Sequence, residues 1–185
     1  MIFLIYVLAS LFLMTVALSS VVFMLDSLFN GHDLSTSKRA TKALASMIKR
    51  HKPDAKTFYD LGCARGTLSL RLKKLLPRLE VCGIDNSAAR IFFAKLKSII
   101  LRRNVNFKKQ DIFETNFRDA DIVYTYLWYD LMPMLEKKLQ KELKQGALVI
   151  TNTSRFQNWR PVEEAVTYPE VSRMPDFETL FVYIK

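Results

Sequence analysis

The chain has 185 residues, is 50% hydrophobic and carries a formal net charge of +10. That length suits one domain with a sizeable core plus an appendage. Its two cysteines, Cys63 and Cys82, offer neither a disulfide framework nor metal-ligand spacing, and no metal is expected.

Residues 1–25, "MIFLIYVLASLFLMTVALSSVVFML", have no charged side chain; the first is Asp26. At ~1.5 Å per residue, such a helix crosses a hydrocarbon core of roughly 30 Å with some tilt. A cleaved signal peptide would show a basic start and an apolar core of ~7–15 residues, and this run has neither. The segment therefore reads as a retained, single-pass transmembrane anchor. Lys38, Arg39, Lys42, Lys49, Arg50 and Lys52 follow it. Lys and Arg concentrate on the cytoplasmic side, so the rest of the chain is expected to face the cytoplasm. The whole net charge sits in residues 26–185. An anionic lipid surface and nucleic acid are the two electrostatic partners this permits, and a bilayer anchor suits nucleic acid badly.

Residues 26–55 read as a juxtamembrane turn, "DSLFNGHDLS", and a helix. Ser35, Thr36 and Ser37 can cap it, and Ala40, Leu44, Met47 and Ile48 recur at helical spacing. Pro53 discourages its continuation. Residues 56–185 then alternate. "TFYDL" (57–61) is a strand, and Leu68, Leu72, Leu75 and Leu76 mark a helix stopped by Pro77. "LEVCGID" (79–85) is a second strand, followed by a helix capped by Ser87 with the stripe Ala88, Phe92, Leu96 and Ile99. "NVNFKKQD" (104–111) and "DIVYTYLW" (121–128) are the third and fourth strands. Leu131, Leu135, Leu139 and Leu143 mark a helix closed by Gly146. "ALVITNT" (147–153) is a fifth strand, and "VEEAVTY" (162–168) and "TLFVYIK" (179–185) are two more extended segments. Such alternation predicts an α/β fold, a mostly parallel sheet wrapped by helices, with ligands beyond the carboxyl ends of the strands.

Chemistry concentrates at those ends. In "YDLGCARGTLSL" the first strand ends at Asp60, Gly62 and Gly66 bracket a turn, and a helix begins at once. Bare backbone and the free N–H groups of a helix start suit a nucleotide-like ligand. Asp85 closes the second strand, where an acid can bind both hydroxyls of a ribose. Asp111 closes the third, within reach of an adenine edge. The run G-C-A-R-G does not match the dinucleotide fingerprint.

These residues resemble the first motif of the seven-stranded class I methyltransferases, D-x-G-x-G-x-G, with Ala64 in place of the middle glycine. That resemblance implies a Rossmann-like, doubly wound fold and S-adenosyl-L-methionine as cofactor. It assigns cofactor contacts to Asp60, Gly62, Cys63, Ala64 and Gly66, to Asp85 and Asn86 at the ribose, and to Asp111 and Ile112 by the adenine. Further on, Tyr126, Leu127, Pro133, Leu135, Lys138, Leu139, Glu142, Leu143, Gly146, Ala147, Phe156, Trp159 and Pro161 resemble the small lysine methyltransferases of archaea and mitochondria, the ATP synthase c-subunit lysine methyltransferase type. The mitochondrial members also carry a hydrophobic segment before the domain. The implied acceptor is a lysine of a membrane protein.

Methyl transfer to a neutral amine needs alignment and exclusion of water rather than a strong base. The two histidines, His32 and His51, lie outside the expected pocket. Tyr126 and Trp128 are expected to flank the acceptor amine as catalytic residues, while Tyr124 on the same strand reads as core. Phe156 and Trp159 either cover the substrate entrance or anchor a loop on the core. The lysines of "EKKLQKELK" read as a solvated face. Competing functions are an RNA methyltransferase, a small-molecule or lipid methyltransferase, and a non-catalytic cofactor-binding module. Base-amino methylation commonly uses an Asn- or Asp-Pro-Pro-aromatic motif at the fourth strand, and "YTYLWYD" does not contain it.

Overall fold

A computed structural model describes residues 2–30, 34–170 and 177–185. The chain divides into two units, one up to residue 33 and one from Leu34 onward. The first is a single helix, α1 (Ile2–Asn30). Its stretch Ile2–Asp26 has a mean hydropathy of 2.4, long and apolar enough to cross a membrane by length and composition. The turn expected at 26–35 starts later than the sequence suggested, because the helix runs on through Asp26 to Asn30. Gly31 is the first glycine in the chain and no proline precedes it, so nothing in 26–30 breaks the helix. Residues 31–33 lie outside the described residues.

In the second unit α2 (Lys38–His51) starts at Ser37, whose hydroxyl accepts the Ala40 N–H at 3.0 Å. The expected stripe Ala40, Leu44, Met47 and Ile48 is buried. Then follow β1 (Thr57–Leu61), α3 (Thr67–Leu75), β2 (Glu80–Asp85), α4 (Ala88–Ile100), β3 (Asn106–Lys109), β4 (Ile122–Thr125), α5 (Met132–Glu142), β5 (Leu148–Asn152), β6 (Glu163–Val166) and β7 (Thr179–Ile184). The seven strands form one sheet in the order β3-β2-β1-β4-β5-β7-β6. Neighbours from β3 to β5 run parallel, and β7 is antiparallel to both β5 and β6. The chain reverses direction on the sheet beside β1, so the carboxyl ends of β1 and β4 open the crevice where such sheets hold ligands.

Strand residues alternate between two cores. Phe58, Val81, Ile122, Tyr124, Ile150 and Val182 pack with α2, α3 and α4 on one face. Leu61, Ile84, Val123, Val149 and Phe181 pack with α5 on the other.

Two helical expectations turn out differently. α4 buries Arg90, Ile91 and Ala94, whereas the expected stripe is exposed: Phe92 at 62%, Leu96 at 42% and Ile99 at 74%, with Ala88 also at the surface. α4 has apolar residues on two faces, and the small, flat Ile91–Ala94 edge fits closer to the sheet. On α3, Leu72 is buried but Leu75 is 40% exposed, since the last turn runs past the edge of the core.

β2 also holds a glycine the sequence reading passed over. A Cβ at Gly83 would stand 2.6 Å from Cδ1 of Phe107 and 2.9 Å from Sγ of Cys63. Gly83→Ala should destabilise the domain by about 1–3 kcal/mol through overpacking. Combining it with Phe107→Leu should cost less than the two changes added. Denaturant unfolding of the detergent-solubilised chain, followed by tryptophan fluorescence, measures both.

Candidate active site

The carboxyl ends of β3, β2, β1 and β4 lie side by side, and the sequence-expected residues sit on them. Asp60, next to last in β1, is buried and accepts a hydrogen bond from the Ser69 hydroxyl on α3. The chain then turns sharply. Gly62 and Cys63 both donate their N–H to Ile84 O at 2.9 Å, which docks the turn on β2. Gly62 (φ 72°), Ala64 (φ 46°) and Gly66 (φ 69°) are all left-handed. Ala64 thus occupies a conformation that disfavours any Cβ by roughly 1–2 kcal/mol. A Cβ at Gly66 would lie 2.4 Å from the Phe107 ring, so that position must stay bare. Gly66 O accepts the Leu70 N–H at 2.9 Å and opens α3.

Asp85 ends β2 and is 4% exposed. One carboxylate oxygen accepts the Ala64 N–H at 2.9 Å, and the other accepts the Ser87 N–H at 2.9 Å. The acid expected at a ribose thus also fixes the glycine turn and the start of α4. Asn86 beside it is exposed. Asp111 stands two residues beyond β3 and is exposed; its carboxylate accepts the Phe113 N–H at 2.8 Å. Gln110 donates its N–H to Asp85 O at 3.0 Å, which brings this exit beside that of β2. Ile112 is half-buried against the second core.

Burial pushes the Asp60 carboxyl up to about 7; the Ser69 hydroxyl opposes this and the Asp85 charge adds to it. Burial, then Asp60 and Asp85, likewise push the Cys63 thiol well up, so it stays a thiol and not a nucleophile.

On the other side of the crevice β4 ends at Thr125, so Tyr126 and Trp128 lie just past the strand rather than on it. Tyr126 is half-buried against the first core; Trp128 is 52% exposed and precedes a short 3-10 turn, Tyr129–Leu131. Leu127 reaches back over the glycine turn, its Cδ2 standing 2.6 Å from where a Gly62 Cβ would be. Tyr124 is core, as expected. Its hydroxyl is paired with Thr36 Oγ1 at 2.8 Å and accepts from Asn152 Nδ2 at 3.0 Å. Phe156 stacks on Trp159 at 5.7 Å, and both rings contact Tyr183, so the pair anchors a loop on the core.

Sequence reading missed the supports. Glu136 on α5 is 2% exposed and accepts the N–H groups of Gln157 and Asn158 at 3.0 Å. Lys138, expected in solvent, is mostly covered; it bonds Glu142 at 2.6 Å and lies over the Phe117 ring. Glu136, Lys138 and Glu142 sit in a run that looks like charged helix surface, and burial leaves no local mark there.

A family model described as the ANTKMT methyltransferase domain matches residues 60–163, more than half of the chain. The chain belongs to that family. Among curated proteins it is 25% identical over 130 residues to a protein-lysine N-methyltransferase of Saccharolobus islandicus, covering 69% of this chain and 80% of that protein. It is 34% identical over 116 residues to a carboxy-S-adenosyl-L-methionine synthase of Campylobacter fetus, covering 59% of this chain. The chain spans about half of that synthase's length, 49%. The fold is similar to that of an RNA methyltransferase from Salinibacter ruber solved with S-adenosyl-L-homocysteine, with a TM-score of 0.71, 19% identity and coverage of 82% of this chain and 93% of that one. S-adenosyl-L-methionine is the cofactor of this methyltransferase domain. A tight turn of left-handed main chain at the start of α3, beside a buried carboxylate, fits it.

Asp60 gives the cofactor-free domain a pH dependence. Its carboxyl is raised in the fold, so the native state holds a proton that the unfolded chain has released between about pH 4 and about pH 7. Asp60's contribution to stability is therefore present below about pH 4 and lost as pH rises through about 7. Asp60→Asn should remove that slope, on the order of 1.4 kcal/mol per pH unit at most for one proton. Unfolding free energies of both proteins at about pH 5 and about pH 7.5 test it.

Proposed function

We propose that the chain is an S-adenosylmethionine-dependent protein-lysine N-methyltransferase that acts on a membrane-associated protein. One observation carries this reading: the buried Asp85 carboxylate holds the left-handed turn at Ala64 beside an aromatic exit of β4. The archaeal protein-lysine N-methyltransferase, matched over most of its length, supports the acceptor class. α1 supports an acceptor in or near the bilayer, with the domain on the cytoplasmic side.

When bound, the cofactor supplies an electrophilic methyl group on a sulfonium. Asp60, Gly62, Cys63, Ala64 and Gly66 would line its amino-acid part. Asp85 and Asn86 would take the ribose, and Asp111 and Ile112 the adenine. Tyr126 and Trp128 would flank the acceptor amine, shedding its water and favouring the neutral form. His51 shares a hydrogen bond with Glu163 and so serves the outer edge of the sheet. The Cys63 thiol is held protonated. These residues give the crevice the means to align and desolvate an amine that arrives unprotonated.

Membranes from a strain lacking the protein, incubated with purified chain and methyl-tritiated cofactor, should label one small membrane protein on lysine. Label in RNA or lipid instead would overturn the acceptor class. Calorimetry should show Asp85→Asn weakening cofactor binding by more than ~1 kcal/mol, as hydrogen bonds to a charged group are worth roughly 1.5–3 kcal/mol. The double change Tyr126→Ala, Trp128→Ala should keep cofactor binding and lose at least tenfold in transfer; unchanged transfer would remove both residues from the site.

A further inference from the structure

The stripe that the sequence suggested for the inside of α4 lies on its outside. Phe92 is 62% exposed, Leu96 42%, Ile99 74%, Ile100 70%, and Leu101 just past the helix 46%. The four within the helix follow i, i+4, i+7 and i+8, one continuous face. The opposite face buries Ile91 and Ala94, so the helix is already held on the sheet without the outer row. Scattered exposed apolar side chains need no explanation, but a contiguous row marks a contact surface.

The charge around the row is of one sign. Residues 88–110, "AARIFFAKLKSIILRRNVNFKKQ", contain seven Lys and Arg and no Asp or Glu. Lys95 and Arg102 are exposed, as is Lys109, which shares the α4 side of β3 with Phe107; Lys108 belongs to the other face of the sheet. We propose that the outer face of α4 is a docking surface for an anionic phospholipid bilayer. Phe92, Leu96, Ile99 and Ile100 enter the boundary between headgroups and acyl chains, and the surrounding cations meet lipid phosphates. An apolar row flanked by Lys and Arg is the pattern of a helix lying in a bilayer interface. A second copy of the chain would oppose one cationic strip with another. A nucleic acid would use the cations and leave the aliphatic row in water. Lipid satisfies both features, and α1 gives the same chain a segment able to cross a bilayer.

Docking at this face has a consequence for the site. α4 begins directly after Asp85, Asn86 and Ser87. Seating the helix on the leaflet holds the cofactor crevice in a fixed relation to the bilayer. The inference does not depend on the lysine reading and holds for any acceptor.

A nitroxide at Ile99→Cys in the full chain tests it, since Cys63 and Cys82 are 6% and 9% exposed and leave the new thiol as the reactive one. Lys141→Cys, exposed on α5, is the control. In nanodiscs of phosphatidylcholine with phosphatidylglycerol, one chain per disc, the Ile99 label should be several-fold less accessible to a water-soluble nickel chelate than the Lys141 label, and more accessible to oxygen. That shielding should fall in pure phosphatidylcholine and at high salt. Lys95→Glu with Lys109→Glu should abolish it while cofactor binding persists. Equal chelate access at both labels in anionic discs overturns the proposal. So does shielding that survives the charge reversal, that is undiminished in phosphatidylcholine alone, or that appears only with two chains per disc.

Discussion

The crevice depends on one carboxylate that holds three pieces of chain at once. Asp85 fixes the amide of Ala64 in the turn after β1 and the amide of Ser87 at the start of α4, while it ends β2 itself. Without that carboxylate, the left-handed Ala64 would lose the partner of its amide, and only the bonds of Gly62 and Cys63 to Ile84 O would dock the turn on β2. An acid, unlike an amide, offers two acceptor oxygens, one for each of these backbone N–H groups, which is why an acid belongs at the end of β2. In the proposed reading the same group also meets the ribose.

Packing beneath the turn enforces the same geometry. The Phe107 ring from β3 stands where side chains at Gly66 and Gly83 would be. β3, β2 and the turn that follows β1 are thereby fitted together by one aromatic ring and two missing side chains. Across the crevice, Tyr124 ties Thr36, ahead of α2, to Asn152 at the end of β5, and Glu136 holds the loop beyond it. Buried polar groups that are each paired in this way leave few alternative arrangements for the rims of the site.

The sequence made the frame legible because strand ends and caps are local signals. β1 is the stretch TFYDL itself, and Ser37 and Ser87 cap α2 and α4 where expected. Alternation pointed to a mostly parallel sheet, and β3 to β5 pair that way; the strand order and the antiparallel direction of β7 come from the fold and carry no local mark. What failed was the assignment of faces. α4 carries apolar side chains at both Ile91/Ala94 and Phe92/Leu96/Ile99, and periodicity says that a helix is amphipathic without saying which of two apolar edges meets the sheet. Glu136 and Lys138 failed for the converse reason. Their partners, the backbone at 157–158 and Glu142 with Phe117, include contacts made only by the fold. Strand length at β4 was overestimated because the aromatic alternation continues through Trp128, while pairing with β5 covers Ile122–Thr125.

The chemistry at such a site is undemanding, and that shifts the burden of selectivity. A displacement at a sulfonium methyl group requires alignment and dryness, both of which many amines could exploit once inside. Trp128, Tyr129 and Met134, beyond the exit of β4, are 52%, 79% and 55% exposed, and in the proposed reading they offer an acceptor little steric rejection. A loose rim discriminates weakly by fit alone. Selectivity must then come from which acceptors reach the crevice in the right orientation. In the proposed reading a bilayer-length apolar helix, a strongly basic domain and an outward apolar row restrict that approach by position. The excess positive charge and the exposed stripe of α4 are features such a positional constraint would require.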